Sequence, residues 1–353
     1  MTYPDNSEPA AVCDLRPVHL PSRPHVAVLG AGAFGLALAT CAQESGCKVS
    51  LFSRSIPNLD PGHPLIECPQ FKLYEALPNP FTCDLFIIAI PTQSLREVAT
   101  WLKGSLSPHF RPQVVCAAKG IEQNTLLLPS QILKEILGPD AGIATLSGPS
   151  FAKELTSGKP TAVVVAAPNK ELGFKIQDIL HRSHFRVYLS SDVIGVELGG
   201  ALKNIIAMVA GSVDALNIGH NARAAVMTRG LQEMAQMGFA LGASPLTFLG
   251  LSGLGDLILT CTGDLSRNRQ FGMLLAQGHS PQEIQKLLGQ VVEGYHTSYS
   301  AFHLSQKLKL DTPILSTVYH VLFENLPIQK AVFSLLERDQ KGEFDWIQND
   351  SKK

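Results

Sequence analysis

His25-Val26-Ala27-Val28-Leu29-Gly30-Ala31-Gly32-Ala33-Phe34-Gly35 is the stretch that decides the fold. A short apolar run reads as a buried strand, empties into a GxGxxG loop, and continues from Phe34 to Glu44 as a helix. In such a unit the first glycine (Gly30) makes the tight turn and the second (Gly32) lets a pyrophosphate approach the backbone. The third (Gly35) lets the helix pack on the strand. The helix N-terminus adds amide donors and a partial positive charge for the phosphates. Alone the motif is weak; between a strand and a helix it points to a dinucleotide.

Working outward, Lys48–Phe52 reads as a second strand, and Leu85–Ile90 is apolar throughout, as a strand covered on both faces should be. Gln113–Ala117, Gly142–Leu146, Thr161–Val165 and Phe185–Leu189 extend the series, with helical stretches between most of them. That alternation predicts an α/β fold, a Rossmann-type, parallel, doubly wound sheet over residues 25–191. Beyond about residue 191 strand signals vanish. Ile194–Val213, Asn221–Leu241, Gly253–Leu259, Arg267–Gln277 and Tyr295–Lys307 favour helix, so 192–340 is expected to be an all-helical domain. Residues 1–24 read as a flexible extension and 341–353 as a frayed tail.

Composition narrows the class. With 45% hydrophobic and 17% charged residues in 353, the chain is globular and long enough for two domains. A formal net charge of −1 supplies no basic field for nucleic acid, and no run reaches the about 18 uninterrupted apolar residues of a membrane span. Seven cysteines without a CxxC pair suit a reducing cytoplasm. The HxxH pair at His181 and His184 lacks a nearby carboxylate or cysteine, so no metal is expected.

Glu197-Leu198-Gly199-Gly200-Ala201-Leu202-Lys203-Asn204 sets one lysine at the start of a long, almost uncharged helical run. Burial lowers a lysine pKa toward neutrality and makes Lys203 a candidate acid or base. Four more clusters share the look of a site: Ala117–Gly120, Ser147–Ala152, Gly253–Leu257 and Ser266–Arg269. Each alone also reads as strand-end solvation, turn chemistry, a helix cap or a charged helix face.

Together these motifs resemble one family, the bacterial NAD(P)-dependent sn-glycerol-3-phosphate dehydrogenases, from about residue 25 to 335. The matching segments are GAGAFG (30–35), AKG (118–120), SGPSFAKE (147–154) and IGVELGGALKN (194–204). They continue with NARAAVMTRG (221–230), GLGDLILTCTGDLSRNRQFG (253–272) and GQVVEGY (289–295). The resemblance implies a catalytic Lys203, with Asn204, Asp256, Thr260 and Lys119 at the reacting end. It implies that Arg267, with Ser266 and Asn268, holds the substrate phosphate, and that Lys119, Gly148 and Ser150 complete the pocket. Contacts to NADP(H) and/or NAD(H) would come from Gly30, Gly32, Ala33, Phe34, Gly35, Arg54, Lys119, Ala152, Arg267, Val291 and Glu293. The implied reaction interconverts dihydroxyacetone phosphate and sn-glycerol 3-phosphate for phospholipid synthesis in the cytoplasm, with a small-molecule substrate as partner and a homodimer left open. Two other readings remain. A β-hydroxyacid-type dehydrogenase would need a carboxylate site instead of Ser266-Arg267-Asn268, and a dinucleotide-sensing regulator would lack the lysine–aspartate pair.

The chain departs from the family in a shorter, proline-rich stretch between Phe52 and about Leu77, which bears on the coenzyme. The second strand ends in Ser53-Arg54, with no acid before Asp60 to accept a ribose 2′-hydroxyl. A guanidinium there matches a 2′-phosphate, so NADPH is expected to serve at least as well as NADH. Arg54→Ala should raise the barrier for NADPH more than for NADH, by about 1.5–3 kcal/mol. Comparison of kcat/KM for both coenzymes decides this; equal losses would leave Arg54 a surface charge.

Overall fold

The computed structural model describes residues 23–55, 57, 59–75, 81–289, 291–336 and 342. The expectations for 1–24 and 341–353 therefore fall outside the described residues, save at Arg23, Pro24 and Gly342. Strands β1 (His25–Leu29), β2 (Lys48–Ser53), β3 (Gln70–Lys72), β4 (Leu85–Ile88), β5 (Gln113–Cys116), β6 (Gly142–Ser147), β7 (Thr161–Ala166) and β8 (Phe185–Ser190) form one sheet. Their order is β3-β2-β1-β4-β5-β6-β7-β8, so the chain changes direction between β1 and β4. Ligands of open α/β sheets bind at the carboxyl ends of the strands around such a switch.

Helices α1 (Ala33–Glu44), α2 (Leu95–Ser105), α3 (Pro129–Leu137), α4 (Ala152–Thr156) and α5 (Lys170–Leu180) fall between the strands. One core packs α1 and α5 on the sheet through Leu38, Leu172 and Ile176, and a second packs α2 and α3 on the other face through Leu95, Val98 and Ile132. The sequence pattern predicts parallel pairing throughout, and the sheet departs from it at one place. β7 lies antiparallel to β6, with Leu146 opposite Val165, and β8 runs parallel to β7. The connection is short on helix: α4 has only 5 residues, about 8 Å, less than the length of about 20 Å that a crossover helix packed along the strand would cover. The β3 edge strand has no alternating apolar pattern, and its sequence among prolines gives no strand signal.

After β8 come α6 (Val193–Ala215), α7 (His220–Ala240), α8 (Asp256–Thr262), α9 (Arg267–Ala276), α10 (Pro281–Leu288), α11 (Glu293–Lys307), α12 (Pro313–Phe323) and α13 (Ile328–Leu336). A π-helical turn, Leu251–Gly255, leads directly into α8. The third core is built on α6, which is apolar around its whole circumference as a central helix must be. It is long and apolar enough to cross a membrane, yet 83% of its apolar window is buried inside the protein. Asp192 caps it, accepting from Gly195 N at 2.9 Å and from Thr247 Oγ1 at 2.6 Å.

α9 crosses α6 at van der Waals contact of the two backbones. A Cβ at Gly272 would overlap the Met208 carbonyl, and one at Gly211 would overlap that of Arg269. Because backbone cannot yield as a side-chain tip can, Gly272→Ala should lower stability by about 1–3 kcal/mol or more. Urea unfolding measures it, and an unchanged midpoint would contradict the tight crossing.

Candidate active site

Two lysines from two different cores converge on one carboxylate. Lys119 follows β5 at the carboxyl end of the sheet, and its Nζ donates to Asp256 Oδ2 at 2.7 Å and to the Gly148 carbonyl at 3.4 Å. Lys203, from the middle of α6, donates to Asp256 Oδ1 and to Thr260 Oγ1, the latter at 2.8 Å. Asp256 opens α8 with 1% of its surface exposed, and Thr260, one turn later, donates to the Asp256 carbonyl at 2.6 Å.

The glycines before Lys203 explain how α6 comes so close. A Cβ at Gly200 would lie 2.6 Å from Ser147 Oγ and 3.4 Å from Lys119 Cγ, and one at Gly199 would overlap the Ser252 carbonyl. At Gly148 φ is +138°, and a Cβ would sit 2.9 Å from Val163 Cα, so only glycine fits this turn after β6.

Burial dominates the electrostatics. It pushes the Lys203 ammonium down to about 8; Asp256 partly restores it, and the charge of Lys119 lowers it again. The same burial would raise the Asp256 carboxyl, but Lys119 and Lys203 together outweigh it and hold Asp256 below the ordinary carboxylate range. With both lysines charged, the trio carries one net positive charge, suited to a substrate that is anionic or becomes so.

A second chain of hydrogen bonds ties three helices behind Lys203. Asn268 Nδ2 donates to Asn204 Oδ1 at 2.9 Å, and Gly294 N donates to Asn268 Oδ1 at 3.0 Å. Asn204 Nδ2 in turn donates to the Gly200 carbonyl at 3.3 Å. Ser266 is buried and caps α9 by accepting from Arg269 N at 3.2 Å. Arg267, the first residue of α9, has an exposed side chain whose Nη1 donates to the Val291 carbonyl at 3.2 Å. Glu293 accepts from Thr92 N at 3.4 Å through Oε1. Burial pushes its carboxyl up to about 7, against the opposing pull of that amide and of Arg267.

On the nucleotide side, Gly30 has φ +108°, and a Cβ there would overlap the Ala89 carbonyl. Gly35 packs on the Gly30 carbonyl, whereas nothing lies within 4 Å of a Cβ at Gly32. Ala33 and Phe34 begin α1, whose N-terminus has no side-chain cap, so its amides are available to an anion over an open Gly32. This cradle fits a pyrophosphate. Ala152 begins α4, and Ser150 Oγ donates to the Gly148 carbonyl at 3.0 Å. Arg54 is exposed just beyond β2, while the Ser53 hydroxyl donates to the Ser55 carbonyl at 2.7 Å.

The structure thus brings Lys119, Gly148, Lys203, Asp256 and Thr260 into one cluster and joins Asn204 to Asn268. Arg54 stands apart, at the β2 end of the sheet. Sequence reasoning gave Ser147 no role beyond membership of the Ser147–Ala152 cluster and passed over Thr92; both have a buried hydroxyl oxygen with no hydrogen-bond partner among the described residues. Only Ser147, first residue of SGPSF, carried a signal. Among the described residues no three His, Cys, Asp or Glu side chains converge on a metal-sized site.

Comparison with known proteins is consistent along the chain. The family described as NAD-dependent glycerol-3-phosphate dehydrogenase matches with its N-terminal part over residues 70–173 and its C-terminal part over 192–333. A glycerol-3-phosphate dehydrogenase (NAD(P)+) of Pasteurella multocida (strain Pm70) is 42% identical over 338 residues, covering 90% of this chain and 97% of its own. One from Geobacter sp. (strain M21) is 43% identical, covering 90% and 98%. The crystal structure of glycerol-3-phosphate dehydrogenase from Coxiella burnetii superposes with a TM-score of 0.80 at 34% identity, over 90% of this chain and 100% of that one.

Asp256→Asn would leave the buried Lys203 and the half-buried Lys119 facing each other without their counter-ion. Removing one partner of a buried ion pair destabilises by about 3–5 kcal/mol. Denaturant unfolding at neutral pH should show a loss of that size, together with a Lys203 pKa below that of the wild type.

Proposed function

This chain belongs to the NAD(P)-dependent glycerol-3-phosphate dehydrogenase family, and from that membership we propose that it interconverts dihydroxyacetone phosphate and sn-glycerol 3-phosphate with Lys203 as general acid/base. The observation that carries the assignment of Lys203 is its burial beside Asp256 and Thr260, with an ammonium pKa lowered to about 8. Positioned proton transfer by such a group is worth about 10²–10⁴ in rate.

When bound, the nicotinamide coenzyme supplies or accepts the hydride. In the reducing direction Lys203 Nζ gives its proton to the substrate oxygen as the ketone becomes an alcohol. Lys119, sharing Asp256 from the opposite domain, adds a second positive charge where negative charge develops. Asp256 holds both ammonium groups in place, and Asn204 and Thr260 fix the surroundings of Lys203. The substrate phosphate is assigned to Arg267 and the first amides of α9, with Ser266 and Asn268 shaping that turn. Gly148 and Ser150 close the pocket from the sheet side. The coenzyme is assigned to the Gly30–Gly35 loop with Ala33 and Phe34, and to Arg54, Lys119, Ala152, Arg267, Val291 and Glu293. NADPH is expected to serve at least as well as NADH.

The finer biology follows the same reading: a cytoplasmic enzyme supplying glycerol phosphate for phospholipids. Six described cysteines are free, in keeping with a reducing compartment. Leu246 and Leu249, 75% and 62% exposed, leave apolar surface for a homodimer.

The sign of the pH dependence follows from which form of Lys203 works. Reduction needs the ammonium, so kcat for dihydroxyacetone phosphate should fall as pH rises through about 8. Oxidation needs the neutral amine, so kcat for glycerol 3-phosphate should rise through the same range. Lys203→Ala should lose at least about 10² in kcat and keep coenzyme binding. Following NADPH absorbance with dihydroxyacetone phosphate decides it. No turnover by wild type would favour a dinucleotide sensor, and a pH-independent or Lys203→Ala-tolerant rate would remove the role of Lys203.

A further inference from the structure

Between Val193 and Val213 the only charged residues are Glu197 and Lys203. Glu197 is 4% exposed, and its carboxylate leaves the helical domain to grip the nucleotide domain. Oε1 accepts from Ser130 N at 2.7 Å, and Oε2 from Ser130 Oγ at 2.6 Å. Ser130 is the second residue of α3. Pro129, the first, has no N–H to offer, and the preceding Leu128 has no side-chain acceptor, so the first turn of α3 is capped from the other domain.

The two charged residues are six apart, so they stand about 9 Å apart along α6 and about 240° apart around it. One faces α3 and the other faces α8. Between them lies Gly200, seated on Ser147 and the stem of Lys119. Any slide or rotation of α6 relative to the sheet would move Lys203 away from the surface that presents the coenzyme. A misplacement of about 1 Å can lower a rate about 10²-fold.

We propose that Glu197 is a positioning residue for the reaction, setting the register of α6, and so of Lys203, against the nucleotide domain by capping α3 through Ser130. The proposal rests on the reading of Lys203 as acid/base. Hydrogen-bonding shape, rather than charge, carries the role: a glutamine can accept from Ser130 N and donate to Ser130 Oγ. The surroundings agree. Burial pushes the Glu197 carboxyl up to about 7 against the pull of the two Ser130 bonds, and among the described residues no cation shifts it. The titratable neighbour across the interface is Cys116 on β5, whose thiol burial pushes up to about 12. Because the folded carboxyl titrates above its ordinary range, its contribution to stability is complete at low pH and is lost as pH rises toward about 7.

The test is a series at position 197, assayed for kcat, for KM of NADPH and for melting temperature. Glu197→Ala is expected to lower kcat about 10-fold or more, with KM for NADPH changed less than about twofold. Glu197→Gln should restore kcat to within about threefold of wild type, and its melting temperature should gain on wild type between pH 5 and 8. If Glu197→Ala does not fold, Glu197→Asp, one methylene shorter, should still show the drop in kcat. A melting temperature that falls while kcat holds would overturn the proposal in favour of a purely structural cap. A glutamine variant as slow as the alanine one would overturn it in favour of a role for the charge. Lys203→Ala in the same assay separates the two readings: full activity there removes the acid/base assignment. Full activity in Glu197→Ala alone removes only the role of Glu197.

Discussion

One buried carboxylate, shared by two ammonium groups, is the constraint around which the rest is arranged. Asp256 sits where water cannot screen it, so its charge persists only because Lys119 and Lys203 lie beside it. Lys203 could not be buried there as an ammonium without the carboxylate. Burial lowers the pKa of Lys203, Asp256 partly restores it, and repulsion by Lys119 lowers it again, so the ammonium titrates at about 8. Because Lys119 belongs to the sheet and Lys203 to the helices, the arrangement exists only while the two domains are in contact.

Much of the surrounding sequence serves that contact. Gly199 and Gly200 let α6 lie on the Ser252 carbonyl and on Lys119, while Gly211 and Gly272 let α9 lie on α6. Removing side chains from these positions forfeits their hydrophobic contribution, and the long apolar faces of α6 supply it elsewhere. Side-chain hydroxyls add to the seam: Ser300 Oγ donates to the Ile121 carbonyl at 2.9 Å, and Ser130 Oγ to Glu197 Oε2 at 2.6 Å. Among the described residues the seam is thus one of shape and hydrogen bonds together with the Lys119–Asp256 ion pair.

The fold was legible because its signals are local. The strand, glycine loop and helix at 25–44 follow one another without a gap, and each later apolar run sits where a strand is found. The reversal of β7 was not legible, since it depends on how far α4 can carry the chain, and five residues of helix look like any short turn in sequence. At the site, the resemblance named Lys203, Asp256 and Lys119 and implied that Asp256 orients Lys203. That Asp256 also holds Lys119, 137 positions away, is a meeting no pattern of spacing encodes. Glu197 was hidden for a similar reason: a lone acid in an apolar helix gives no hint that it reaches a serine amide in another domain.

The separation between the sheet and the helices has a consequence for how the enzyme can vary. Arg54 stands exposed at the β2 end of the sheet, joined to none of the bonds that fix Asp256. Changes there leave the lysines where they are, because the sheet between β2 and β5 is held by its own ladder. Changes along α6 have no such freedom. Glu197, Gly200, Lys203 and Asn204 lie within little more than two turns, and each meets a different partner: α3, β6 with Lys119, α8, and α9. A substitution at any of them shifts the helix for all. The β2 end of the sheet can therefore vary one residue at a time, whereas the contacts that bring α6 to Asp256 have to be kept whole.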